Sequence, residues 1–318
     1  MSVLPALRRC VFAALLAVSG AASSATPVAT EYSFAALGDT PYNTAEEEQF
    51  VVMLAEMNRA PDLAFAVHVG DFKASTTACT DELFLQRYDW FRLSHRPFIY
   101  VPGDNEWTDC WRPFGAARDP LERLAKLREI FHAGDHALGQ TPLPLTRQRD
   151  IPGLPGARYP EHVRWLHHGV LHLTLNLPGA DNNRSRMPEE AETRMIAVRD
   201  WMKTGFQFAR ERQLPGVVLF IQANPWRRNG LPRLAFAEWL QELATEAQNY
   251  PGNVLLVHGD THEFNFGPAL VDPVTRKPVR NVTRLEVYGS PRVNWVRVTV
   301  TVKGGIAYFA AEPGSQFK

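Results

Sequence analysis

The 318-residue chain has only three cysteines, and none are spaced as Cys-x-x-Cys, which excludes the usual thiolate zinc site. It has no excess of charge. Its 34 Lys and Arg balance 34 Asp and Glu, so the basic surplus of a dedicated nucleic-acid binder is missing. There is no low-complexity tract and no repeat at solenoid periods. No apolar run is long enough to span a bilayer as a helix. No linker divides the chain after its first residues, so one domain over residues 26–318 is expected.

What is present begins with an export signal. Arg8 and Arg9 form a positive segment, residues 10–18 an apolar one, and Ser23-Ser24-Ala25 a small-residue cleavage site. Residues 1–25 are therefore read as a cleaved signal peptide, which places the mature chain in the periplasm or outside the cell. Cys10 leaves with the leader. Cys79 and Cys110 remain, in an oxidising compartment where an isolated pair is expected to be bridged.

Four apolar runs then end in the same two letters. SFAALGD, LAFAVHVGD, PFIYVPGD and NVLLVHGD close at Asp39, Asp71, Asp104 and Asp260. With 21 Gly in the chain, composition alone gives about one Gly-Asp pair. A fifth pair, Gly134-Asp135, follows a helical pattern instead. Strand-like runs alternate with helical periodicity over 44–57, 81–94, 119–131, 189–212 and 233–248, and three strands are expected in the tail, over 284–288, 293–302 and 306–310. Thr44-Ala45-Glu46-Glu47 reads as a capping box. This alternation predicts an α/β domain, in which functional groups gather beyond the carboxyl ends of the strands. Four carboxylates converging there repel one another and raise each other's pKa unless a cation sits among them. Oxygen-rich clusters with a few imidazoles suit divalent Mn, Mg, Fe or Zn.

The neighbouring residues sharpen this. Gly103-Asp104-Asn105-Glu106 and His258-Gly259-Asp260-Thr261-His262 make the chain resemble the calcineurin-like metallophosphoesterases, which include the purple acid phosphatases. That family's blocks are Asp-x-His, Gly-Asp, Gly-Asn-His-Asp/Glu, a His often before x-Pro, and Gly-His-x-His. The resemblance spans residues 34–262. It implies two packed mixed β-sheets flanked by helices, a four-layer sandwich, with a two-metal centre at the strand ends that activates water and clamps phosphoryl oxygens.

Residue by residue the match is partial. Asp39 and Asp71 fit the first two blocks, Asp71 as the carboxylate shared by both metals, but Pro41 stands where the Asp-x-His histidine belongs. Purple acid phosphatases place a Tyr three residues after the second Asp, where this chain has Ala74; Tyr42 lies three after the first Asp instead. Asp104 stands at the family's Asn ligand. Asn105 stands at its leaving-group His, and could supply the amide ligand if the register slips by one. Ala223 replaces the His of the His-x-Pro-Trp block, with Gln222 and Asn224 beside it as substitutes. His262 fits the last His, Asp260 replaces the one before it, and His258 is a spare candidate. The resemblance thus implies a first metal on Asp39, Asp71 and His262. The second is left with carboxylates in place of imidazoles, a set suited to a harder cation or to none. Lys73, Arg227 and Arg228 are candidates to bind phosphate.

The leading expectation is an exported, metal-dependent phosphoesterase acting on small-molecule phosphate mono- or diesters. The alternative is a catalytically impaired metal- and phosphate-binding protein on the same fold. A protein-interaction module, the third class, predicts no bound metal.

Overall fold

The computed structural model describes residues 29–154, 159–272 and 274–314. The expected signal peptide therefore lies outside the described residues. Two mixed sheets stack face to face. The first has five strands in the order β12-β11-β1-β2-β3, formed by β1 (Thr30–Leu37), β2 (Leu63–His68), β3 (Phe98–Tyr100), β11 (Val296–Lys303) and β12 (Ile306–Pro313). The second has seven, in the order β4-β5-β6-β7-β8-β10-β9. These are β4 (Thr146–Arg147), β5 (Val163–His167), β6 (Val170–Thr174), β7 (Gly216–Phe220), β8 (Asn253–His258), β9 (Asn265–Pro268) and β10 (Val282–Glu286). Both sheets are mixed: in the first, parallel β1, β2 and β3 run out to one edge with antiparallel β11 and β12 on the other side, and in the second, parallel β6, β7, β8 and β10 are flanked on both sides by antiparallel strands.

Strands with both faces covered read as near-continuous apolar runs, and the covering is visible. Phe34, Phe65 and Val67 of the first sheet meet Trp165, Phe220, Leu255 and Val257 of the second in a core between the sheets. The outer face of the first sheet is covered by α1 (Thr44–Arg59), α2 (Asp81–Arg92) and α3 (Pro120–Phe131), through Phe50, Leu54, Phe84, Phe91 and Leu127. The outer face of the second is covered by α4 (Pro188–Glu211) and α5 (Ala237–Gln248), through Val198, Trp201, Phe206, Trp239 and Leu243. This is the four-layer sandwich.

Local chemistry explains most element ends. Asp119 caps α3 by accepting from Leu121 N–H at 2.8 Å, with Pro120 in the first turn. For α1 the cap is Asn43, one residue earlier than the expected Thr44: its Oδ1 accepts from Glu46 N–H at 3.1 Å, and Glu46 reaches back to Asn43 Nδ2 and Tyr42 N–H. Helix α5 starts later than expected, because residues 234–236 form a separate 3-10 turn. Cys79 and Cys110 are disulfide-bonded, with Cα atoms 5.8 Å apart, tying the loops after β2 and β3 together.

Candidate functional site

All four Gly-Asp pairs leave the carboxyl ends of strands β1, β2, β3 and β8, and they interlock. A Cβ on Gly103 would lie 2.1 Å from Asp71 Oδ1, and one on Gly259 would lie 1.9 Å from Asp39 Oδ2. The glycine of one pair is thus the space that the aspartate of another occupies, and no side chain fits there. Asp39, Asp71, Asp260 and His262 have φ of 52°, 57°, 81° and 63°, a sparsely populated conformation for residues with side chains and one that concentrates at functional sites.

The carboxylates are deeply placed. Asp39 and Glu106 are fully buried and Asp71 and Asp104 nearly so; Asp260 is partly buried. Asp39 accepts the Asp260 N–H on both oxygens, at 3.0 and 3.1 Å. Asp71 Oδ1 accepts Asn105 N–H at 3.0 Å, and Oδ2 accepts the Gln222 amide at 3.1 Å and the Tyr42 hydroxyl at 3.3 Å. Asp260 Oδ2 accepts Asn224 N–H at 3.0 Å. Asp104 Oδ1 is buried without a partner. Burial, followed by repulsion from Asp260 or from one another, holds Asp39, Asp71 and Asp104 well above the ordinary carboxylate range.

Glu106 braces the floor. Its Oε1 accepts from Tyr100 O–H at 2.7 Å, Gly103 N–H at 2.7 Å and Asp71 N–H at 3.0 Å, so one oxygen fixes the exits of two strands. Its place in Gly-Asp-Asn-Glu was the available signal.

His262 is oriented by its other nitrogen. Its Nδ1 faces Ser290 O at 2.7 Å, a contact in which Nδ1–H donates, so Nε2 is the nitrogen turned to the crevice. That nitrogen lies 3.7 Å from Asp39 Oδ1 and 3.3 Å from the Tyr42 hydroxyl. Tyr42 has one proton to offer to two acceptors, Asp71 Oδ2 and His262 Nε2, while its oxygen accepts from Asn105 Nδ2 at 3.0 Å. Asp39, Asp71 and His262, which the resemblance assigns to a first metal, are therefore brought together, with Tyr42 bonding the last two. In the sequence Tyr42 stands out only by its offset from Asp39.

Among the described residues no three His, Cys, Asp or Glu side chains converge tightly enough to hold an ion by themselves. The chemistry of the wider set nevertheless fits one cation. Acceptors outnumber donors, an imidazole nitrogen faces a carboxylate oxygen, and no Lys or Arg side chain hydrogen-bonds to Asp39, Asp71, Asp104 or Asp260 among the described residues. Asp39, Tyr42, Asp71 and His262 are the residues that could hold it.

The other candidates have different surroundings. His258 is buried with both ring nitrogens engaged, Nδ1 at Gly259 O (2.8 Å) and Nε2 receiving Arg284 Nε–H (2.8 Å), so it supports the sheet and is not free to ligate. Lys73 is buried and its ammonium donates to Ala74 O and Thr77 O at 3.0 and 2.9 Å, within its own loop. Asn105 spends both amide hydrogens, on Tyr42 O and on Lys73 O at 3.0 Å each, and has none left for a leaving group. Arg227 and Arg228 are exposed on the turn after β7.

No protein-family model and no curated protein sequence matches the chain. Solved structures do. GAP50, the anchor in the inner membrane complex of Plasmodium, superposes with a TM-score of 0.52 at 10% identity, over 91% of this chain and 86% of that one. PhoD gives 0.51 at 10% identity, over 89% and 68%. Purple acid phosphatase PPD1 from yellow lupin (Lupinus luteus) seeds gives 0.51 at 10% identity, over 92% and 53%. The chain has the calcineurin-like metallophosphoesterase fold. At this identity the likeness is one of fold, and the chemistry has to be argued from the residues above.

Proposed function

We propose that this chain is an exported, cation-dependent phosphoesterase acting on small phosphate mono- or diesters. The observation that carries the reading is the convergence of four strand-end aspartates, His262 and Tyr42 on one crevice that is short of positive charge. A divalent cation there would supply Lewis acidity toward a phosphoryl oxygen and lower the pKa of water. The chain's own part is positional. Ser290 O sets the His262 tautomer, Asn105 orients the Tyr42 hydroxyl, and Glu106 holds the Asp71 and Gly103 backbone. Arg227 and Arg228, exposed on the turn after β7, are the cations available for the substrate's phosphate oxygens. Export is supported by the leader-like first 25 residues and the Cys79–Cys110 disulfide. No helix among the described residues is long and apolar enough to cross a membrane.

A second reading, a cation- and phosphate-binding protein without turnover, is favoured by one observation. The family's leaving-group position holds Asn105, whose amide hydrogens are both committed. Turnover of a generic aryl phosphate by the mature chain, with Mn or Mg added, separates the two. Slow, cation-dependent hydrolysis is expected. Bound cation with no hydrolysis under any metal favours the binding protein, and a chain that retains no cation sinks both.

A further inference from the structure

The loop after β6 carries an unusual backbone. Ala180, Asp181, Asn182 and Asn183 have φ of 44°, 58°, 54° and 60°. Residues with side chains visit this left-handed region singly, not in runs, and such a run persists only where the surroundings over-determine it. Arg194, fully buried in α4, does so. Its Nη1 donates to Asn182 Oδ1 at 2.6 Å and Asn176 O at 3.0 Å, its Nη2 to Asn182 O at 3.0 Å, and its Nε to Glu190 Oε1 at 2.7 Å. Asn183 Nδ2 adds a 2.9 Å bond to Glu190 Oε2.

What this clamp holds in place is Gly179. Its N–H donates to Gln222 Oε1 at 2.5 Å, and the same side chain's Nε2 donates to Asp71 Oδ2 at 3.1 Å. A Cβ on Gly179 would stand 2.6 Å from Asp104 Oδ1 and 2.8 Å from Asp260 Oδ1. The backbone at Gly179 therefore packs so close to Asp104 and Asp260 that no Cβ fits between them, and the Gln222 amide spans from that backbone to Asp71. Those are the carboxylates that the family resemblance would give to a second cation, and Gln222 adjoins Ala223, where that cation's imidazole is missing.

We propose that residues 176–183 are a built-in plug of the second cation position, held by Arg194 and Gln222, and that the centre accepts a single divalent cation among Asp39, Tyr42, Asp71 and His262. The inference rests on the cation-dependent reading above and deepens it. Arg194 and Gln222 are positioning residues that act through Gly179, and Gln222 also donates to Asp71 of the first position. The strained turn serves to press a backbone that carries no side chain against Asp104 and Asp260.

The test uses the mature chain and Mn(II) alone, without substrate, read by equilibrium dialysis and electron paramagnetic resonance. One Mn per chain is expected, with the hyperfine spectrum of an isolated ion. Two Mn per chain with an exchange-coupled spectrum overturns the plug while leaving the cation-dependent reading standing. No bound Mn overturns that reading and the plug with it. Gln222→Ala, verified as folded by its melting transition, is expected to admit a second equivalent. A folded Gln222→Ala chain that still binds one overturns the role given to Gln222, and should that variant not fold, the count on the unmodified chain decides.

Discussion

Two buried carboxylate groups in this molecule are treated in opposite ways. Glu161, fully buried, receives Arg128 Nε–H at 2.9 Å, Arg128 Nη2–H at 2.7 Å and Asn176 Nδ2–H at 2.8 Å. Burial alone would raise its pKa, but the guanidinium outweighs burial and brings it down to about 2. Asp39, Asp71 and Asp104 are buried about as deeply, receive amides and a hydroxyl or nothing, and are pushed up by burial and by one another. Where a buried charge serves the fold, the chain supplies its own counter-ion. At the strand ends, among the described residues, no Lys or Arg side chain bonds the aspartates, which is the arrangement expected where the counter-ion comes from solution.

The sharpest way to break this contrast is Asp71→Asn, which keeps the shape and removes the charge. Manganese affinity should fall at least about 100-fold, in line with loss of a metal-site group, and aryl phosphate turnover should drop to background, measured by calorimetric titration and rate assay. Retention of both would end the cation reading. The reciprocal change is Arg128→Met, which leaves Glu161 buried and unpaired. It should cost about 3–5 kcal/mol of stability in urea unfolding.

These two expectations were unequally legible in the sequence. Asp71 was visible because its signal is local, an apolar run, a glycine and a carboxylate in four successive blocks. The disulfide was visible once Cys10 was assigned to the expected leader. Glu161 and Arg128 were not, because 33 residues separate them and only the packed fold brings them together. Tyr42 and Gln222 were ambiguous for the same reason, their partners lying on loops of different strands. Strand β9 escaped because Asn-Phe-Gly-Pro reads as a turn, and it is in fact an edge strand, where glycine and proline are tolerated. His258 misled because a histidine beside a Gly-Asp pair looks like a ligand until Arg284 is seen on its ring.

A pH experiment sharpens the comparison on the Glu161 side. His132 is buried there with Nε2 unpartnered, and burial lowers its pKa from 6.5 to about 3. The folded state keeps it neutral while the unfolded chain protonates it below pH 6.5. Its contribution is therefore present above that pH and is lost as pH falls from 6.5 toward 3. His132→Phe should flatten the pH dependence of stability over this window by up to about 1.4 kcal/mol per pH unit, followed by melting at several pH values. The smallest effect concerns the strand ends themselves. Asp104→Asn removes an unpaired buried charge, and without added cation it should raise stability at pH 7 by about 1 kcal/mol, within the range of ordinary stabilising substitutions. Destabilisation of that size would show that the carboxylate is satisfied within the fold.

The first sheet has a property that concerns time rather than geometry. Strand β1 lies between β2 and β11, with Phe34 opposite Val298, so its second neighbour is synthesised 264 residues after it. The same late stretch carries Ser290, whose carbonyl orients His262 and whose N–H bonds Asp39 O at 2.8 Å. A nascent chain therefore has neither a closed first sheet nor a finished crevice until β11 has been made, and pairings so distant in sequence form slowly. The fold thus makes completion of its crevice wait on its most distant strand pairing.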